Sequence, residues 1–343
     1  MLQGLANSGF DWTMSILTEL PVDWYPDDAF EGFSDTSSFD PGTARALMWL
    51  AQLAYEAAGS AKARLIADRW GVEVVATAGA PAPDGELKAG ELNAQVFRKG
   101  KSLVVVFQGT DPLRLAHWVI DLDARVKDNV HAGFKRTVET LWPPLACAID
   151  QELKRDPWCR LLFAGHSLGG ALAVLAADLS HARRHDVSAV YTFGMPRVGD
   201  ASFAAAYNAR LGRRTYRFVL GEDIVPTVPP PLARFDYRHV GHFLPSADDR
   251  FEAGTFTAPP NAAERDDWSN APRAGKDTWR ALVGALRSDL LGNLAELAKL
   301  RLGASSATPD DHAARVAEFL LQRSPTPLRD HLPIRYCRAL AVN

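Results

Sequence analysis

The segment Gly165-His166-Ser167-Leu168-Gly169-Gly170 limits what this chain can fold into more than any other stretch. It stands between a continuous apolar run, Arg160 to Ala164, and a stretch of small residues that includes Ala171, Ala173, Ala176 and Ala177. A serine in that setting sits on a sharp turn from strand to helix. The two elements approach so closely that the flanking positions must be nearly free of side chain, and Gly165 and Gly169 meet that need. G-x-S-x-G alone arises by chance in about one chain in ten of this length. The buried strand before it and the small-residue helix after it carry the inference, which makes Ser167 the candidate nucleophile; a structural glycine turn is the plain alternative.

The surrounding pattern is a βα rhythm. Strands are predicted at Val72 to Ala76, Asn93 to Phe97 and Leu103 to Phe107, with a Pro/Gly-rich turn from Gly79 to Gly85. A helix from Ala132 to Leu153 leads into the strand Arg160 to Ala164. Helix Gly169 to Ala182, strand Ser188 to Phe193, helix Ala201 to Leu211 and strand Thr215 to Leu220 follow. Such alternation specifies an α/β fold with a mostly parallel central sheet and helices on both faces. An outer helix is predicted over Thr43 to Gly59, inside an N-terminal helical segment at 1–60. Beyond Leu244 the rhythm stops. Residues 245–325 read as a loop and helical insertion, with a one-sided apolar helix over Asp277 to Arg301 and a second helix over Asp311 to Gln322. The 343 residues are therefore read as one sheet-based domain, 1–343, carrying that insertion.

Composition excludes several roles. A formal charge of −3 supplies no positive field to gather nucleic acid. No apolar run reaches the roughly 18 residues that span a bilayer. Before Arg45 there are acidic residues but no Lys or Arg, unlike the start of a secretory signal. Cys147, Cys159 and Cys337 fit neither a disulfide framework nor a thiolate metal site. The default expectation is a cytoplasmic protein without metal or cofactor, with signal-independent secretion left open.

Acyl transfer at Ser167 requires two N–H donors aimed at the developing oxyanion. Leu168 supplies one. The strand Leu103 to Phe107 runs straight into Gln108-Gly109-Thr110-Asp111, which makes the Thr110 N–H the other. Residues 111–123 then combine Leu113, Leu115, Trp118, Val119 and Ile120 with Arg114, His117 and Asp121. That is too apolar for a simply exposed helix. It reads as a lid that lays its apolar face on a lipid surface, with an ordinary buried helix as the alternative.

With a serine elbow in such a sheet, the acid follows the serine and the histidine follows the acid. Asp223 lies just past the strand Thr215 to Leu220, where ligand crevices of parallel sheets open. Glu222 falls on another side of the turn, and Asp200 reads as the cap of the next helix. Of His239, His242, His312 and His331, the last stands in a loop, Ser324 to Leu332, held by Pro325, Pro327 and Pro333. His331 is the candidate base and His242 the runner-up; His312 reads as a helix-start residue and His239 as structural.

Taken in order, these motifs resemble the class 3 lipase family, the fungal-type triacylglycerol lipases and their bacterial relatives, of the α/β-hydrolase fold. Val106-Phe107-Gln108-Gly109-Thr110 is similar to the family's oxyanion strand and turn, Trp118 with Asp121 to its lid-region W-x-x-D, and His131-Ala132-Gly133-Phe134 to its H-x-G-F element. Gly165 to Gly170 resembles its nucleophile motif, and Thr192-Phe193-Gly194-Met195-Pro196-Arg197-Val198-Gly199 its T-F-G-x-P-R-V-G segment. Asp223-Ile224-Val225-Pro226 and Asp330-His331-Leu332 are similar to its acid and histidine motifs. The resemblance implies a triad of Ser167, Asp223 and His331, no cofactor, and hydrolysis of acylglycerols or phospholipids. Gln108 stands where many relatives have Arg, and the stretch from Asp223 to His331 is long for compact relatives. Phospholipase A-type or acyltransferase activity on the same fold, and a non-catalytic lipid-binding protein, are the rival readings.

Overall fold

A computed structural model describes residues 18–34, 38–81, 91–110, 126–229, 236–246, 249–251, 308–324 and 326–341. The lid-like segment 111–123, the helix expected over 277–301 and most of the stretch 245–325 lie outside the described residues.

Among the described residues, helices α1 (Pro41–Leu53) and α2 (Ala61–Arg69) precede the sheet. Its strands are β1 (Glu73–Pro81), β2 (Glu91–Lys99), β3 (Ser102–Phe107), β4 (Arg160–His166), β5 (Val187–Phe193), β6 (Thr215–Val219) and β7 (His242–Pro245), and they lie side by side in chain order. The first three pair antiparallel and the rest, from β3 onward, parallel. Every residue of β3 and β5 is buried, as the continuous apolar runs of a sheet covered on both faces require. β1 extends past the turn predicted at Gly79. It is an edge strand, where Pro81, which lacks an N–H, is tolerated.

The crossover from β3 to β4 carries α3 (Ala132–Arg155), and α4 (Leu168–Ala182) and α5 (Ala201–Leu211) bridge the next two strand pairs. All three crossovers step in the same direction, and right-handed connections then place their helices on one face. There Val105, Phe107 and Phe163 pack against Phe134, Leu141 and Leu172. The other face presents Val104, Val106, Leu162 and Tyr191, and must be covered by the two ends of the chain. Leu47 and Leu50 of α1 meet Val316 and Leu320 of α6 (Pro309–Arg323) and Tyr336 of α8 (Pro333–Ala339) on that face. Each fully buried aliphatic side chain there contributes about 1.5–3 kcal/mol. The second helix expected in the insertion is thus part of the cover over the sheet.

Local signals set the helix ends. The Asp40 carboxylate accepts from Thr43 N–H at 2.6 Å ahead of Pro41, and Asp200 caps α5 through Phe203 N–H at 3.0 Å, as its sequence context suggested. His131 of the H-x-G-F element is the cap of α3: its Nδ1 accepts from the N–H groups of Gly133 and Phe134. Two expectations need correction. The helix expected over Thr43 to Gly59 ends at Leu53, and beyond it the Glu56 carboxylate is drawn to Leu20 N–H and to the Tyr25 hydroxyl. The loop expected over Ser324 to Leu332 contains a helical turn, α7 (Thr326–Arg329), and Pro333 opens α8. Proline suits the first turn of a helix, so Pro327 and Pro333, which read as loop stiffeners, lie in first turns here.

Candidate active site

The serine elbow forms as its glycines dictate. A Cβ on Gly165 would lie 2.2 Å from the Gly169 carbonyl, and one on Gly169 would lie 2.1 Å from the Phe107 carbonyl oxygen. Ser167, between β4 and α4, takes φ 58° and ψ −131°, a left-handed backbone that costs a non-glycine residue about 1–2 kcal/mol. Its N–H donates to the Phe193 carbonyl at 2.8 Å, which fixes the turn. The Oγ is buried and has no hydrogen-bond partner among the described residues. Leu168 opens α4, so its N–H belongs to the set that finds no acceptor within the helix and faces the positive end of the dipole.

Asp223 lies beyond the end of β6 and is buried. Its Oδ1 accepts from Val225 N–H at 2.9 Å, and both oxygens lie 2.8 Å from Nδ1 of His331. A carboxylate can only accept, so Nδ1 carries the proton and Nε2 holds the free lone pair. That Nε2 is buried without a partner among the described residues, like the Ser167 Oγ, and the two are not hydrogen-bonded to each other. Gly194, of the T-F-G segment, lies beneath the pair at φ +59°. A Cβ there would stand 2.6 Å from Asp223 Oδ2 and 3.0 Å from the His331 ring. Asp330 joins the two turns: its Oδ2 accepts from Glu222 N–H at 3.0 Å, while Arg335 approaches its Oδ1 at 3.3 Å.

Thr110 follows β3 and lines a small, mostly apolar crevice together with Tyr55, His166, Leu320, Leu328 and His331. Gln108, the departure from Arg, extends the ladder instead of forming an ion pair: its N–H donates to the Asn93 carbonyl at 2.9 Å and its Oε1 accepts from Asn93 N–H at 3.1 Å.

The structure therefore brings Asp223 and His331 into contact and sets Thr110 in the same crevice as His331. The other histidines weighed on sequence stand apart. His239 Nε2 donates to the Pro226 carbonyl at 2.7 Å, His242 sits on β7 against the Tyr216 ring, and His312 lies in the first turn of α6. Sequence reading missed Tyr336, whose hydroxyl donates to Asp223 Oδ2 at 2.6 Å. Burial, and then the Asp223 charge, push its pKa well above the usual phenol value, so it stays a donor. It also missed Tyr55 and His166. Among the described residues no cluster of His, Cys, Asp and Glu could hold a metal ion, and no helix is long and apolar enough to cross a membrane.

Residues 104–233 match the family described as Lipase (class 3). The chain is 34% identical to a lipase of Rhizomucor miehei over 44% of this chain and 44% of that one. It is 31% identical to the secreted mono- and diacylglycerol lipase 1 of Fusarium solani over 40% and 42%. It spans less than half the length of these relatives. The solved lipase of Rhizopus microsporus var. chinensis matches with a TM-score of 0.50 at 22% identity, over 69% of this chain and 84% of that one, a likeness of fold. The central sheet is that of the α/β-hydrolase fold, and the segment that holds β3, the serine elbow and Asp223 is similar to the class 3, fungal-type lipases.

Proposed function

We propose that this protein hydrolyses carboxylic esters of lipids through an acyl-enzyme on Ser167. His331 Nε2 takes the Ser167 proton as Oγ attacks the ester carbonyl, and Asp223 holds the ring and stabilises the imidazolium. The N–H groups of Thr110 and Leu168 receive the oxyanion. Collapse expels the alcohol, which leaves with the proton from His331; water, activated by the same nitrogen, then releases the acid and restores Ser167. The Oγ–Nε2 hydrogen bond has to form as substrate binds, as catalytic contacts commonly tighten only in the complex.

The observation that carries this reading is the buried Asp223–His331 pair beside a strained elbow, with His331 Nε2 and the Ser167 hydroxyl both unpartnered among the described residues. The lipase relatives support lipid esters as the substrate class, and the apolar composition of 111–123 supports contact with a lipid surface. Ser167→Ala is expected to lower turnover of p-nitrophenyl butyrate by at least about 10⁴-fold without changing thermal unfolding. Retained turnover overturns the proposal. A rate that rises sharply once a triacylglycerol forms an emulsion supports the lipid-surface contact; a hyperbolic rise through that point removes it.

A further inference from the structure

His166, the residue before the elbow serine, and Tyr55, just beyond α1, have no part in those steps. Yet the His166 imidazole is 1% exposed and joins two distant segments. Its Nε2 lies 2.9 Å from the main-chain oxygen of His331, and its Nδ1 lies 2.8 Å from the Tyr55 hydroxyl. A carbonyl can only accept, so Nε2 carries the proton. Burial, and secondarily the neighbouring His331, hold His166 well below the usual histidine range. The ring is therefore neutral, and Nδ1 accepts from the Tyr55 O–H. It also packs against the His331 ring, with centroids 4.6 Å apart. A neutral neighbour there adds no like charge when the imidazolium forms.

Tyr55 has a second contact. A Cβ on Gly109 would lie 2.1 Å from the Tyr55 hydroxyl oxygen and 2.5 Å from the His166 carbonyl oxygen, so the phenol is seated against the turn that presents Thr110. One phenol thus touches the oxyanion turn, and one imidazole ties that phenol to the main chain of the base.

We propose that Tyr55 and His166 are a positioning pair that sets His331 and the Gly109–Thr110 turn relative to Ser167. The inference rests on the hydrolase reading. A misplacement near 1 Å of a reacting group costs about 100-fold in rate. A link anchored to the elbow at one end and to the base at the other is a direct means of preventing it.

The test is steady-state hydrolysis of p-nitrophenyl butyrate and thermal unfolding for the full chain and for Tyr55→Phe, His166→Leu and His166→Gln. His166→Leu is expected to lower kcat by roughly 100-fold with KM held within about twofold. Tyr55→Phe is expected to lower kcat by about five- to tenfold. His166→Gln keeps a donor for the His331 carbonyl and is expected to recover at least about tenfold of the loss in His166→Leu. Unchanged kcat in Tyr55→Phe, or a glutamine variant no better than the leucine one, overturns the inference. If His166→Leu does not fold, Tyr55→Phe decides: a lowered unfolding midpoint with kcat intact overturns it, and the reverse supports it. A parent chain that neither turns over the ester nor reacts with a fluorophosphonate at Ser167 overturns the hydrolase reading and this inference together. An active parent with insensitive variants overturns this one alone.

Discussion

The Tyr336 hydroxyl donates to Asp223 Oδ2 at 2.6 Å and accepts from Leu220 N–H at 3.0 Å. The acid is thereby held from α8 as well as from its own turn. Tyr336→Phe removes one donor from a buried carboxylate and leaves the ring in the core. The carboxylate is then free to turn away from Nδ1. We expect kcat to fall by about tenfold, with KM little changed, and stability to fall by about 1–3 kcal/mol. Steady-state kinetics and urea unfolding of the one variant check both.

Gly194→Ala tests the floor beneath the acid and base. The added methyl would meet Asp223 Oδ2 at 2.6 Å in a backbone at φ +59°, so strain and steric conflict act together. The expected result is a loss of about 100-fold or more in kcat and about 1–2 kcal/mol in stability. Alanine tolerated with parental kcat would mean that the Asp223–His331 contact is looser than the geometry indicates.

Asp330 is buried, accepts from the Glu222 N–H, and pairs ionically with Arg335 at 3.3 Å and Arg329 at 3.6 Å. Asp330→Asn retains an acceptor for Glu222 and loses the charge; Asp330→Ala loses both. We expect alanine to cost about 1–3 kcal/mol more stability than asparagine, and to lower kcat further, because the turn bearing Glu222 and Asp223 loses its anchor. Equal behaviour of the two variants would show that the main-chain bond contributes nothing.

Acid sensitivity follows from His166. Its pKa in the folded protein is depressed by burial and by His331, whereas in the unfolded chain it lies near 6.5. Below that value the unfolded chain binds the extra proton, so the stability contributed by the neutral ring is present above about pH 6.5 and is lost as pH falls toward the folded pKa. The slope is about 1.4 kcal/mol per pH unit for one proton. Urea unfolding between pH 7 and 5 is expected to show this decline, and His166→Gln to flatten it by about one proton's worth. An unchanged slope in the variant counts against it.

The elbow at Ser167 and the meeting of Asp223 with His331 were legible because each residue sits in a short local pattern: an elbow with its glycines, a strand end before Ile224-Val225-Pro226, and a histidine flanked by prolines. The parallel sheet was legible from runs such as Leu103 to Phe107. Tyr336 and Tyr55 were not, because a buried tyrosine near a helix end is ordinary core until its partner is known. Each partner lies over a hundred residues away, Asp223 for one and His166 for the other. His166 was set aside by chain order, which speaks to the base and not to what holds the base. The role of α6 was missed for another reason. Its apolar stripe identifies a packed helix, but only the one-sided crossovers reveal that a sheet face was waiting for it.

His331 and Tyr336 belong to the layer that the chain's ends lay over the sheet, not to the sheet itself. The serine, by contrast, is built into the strand framework. Heating that peels back this layer draws His331 and Tyr336 away while the strands stay paired, so the proposed ester hydrolysis is expected to disappear at a lower temperature than the sheet signal in circular dichroism.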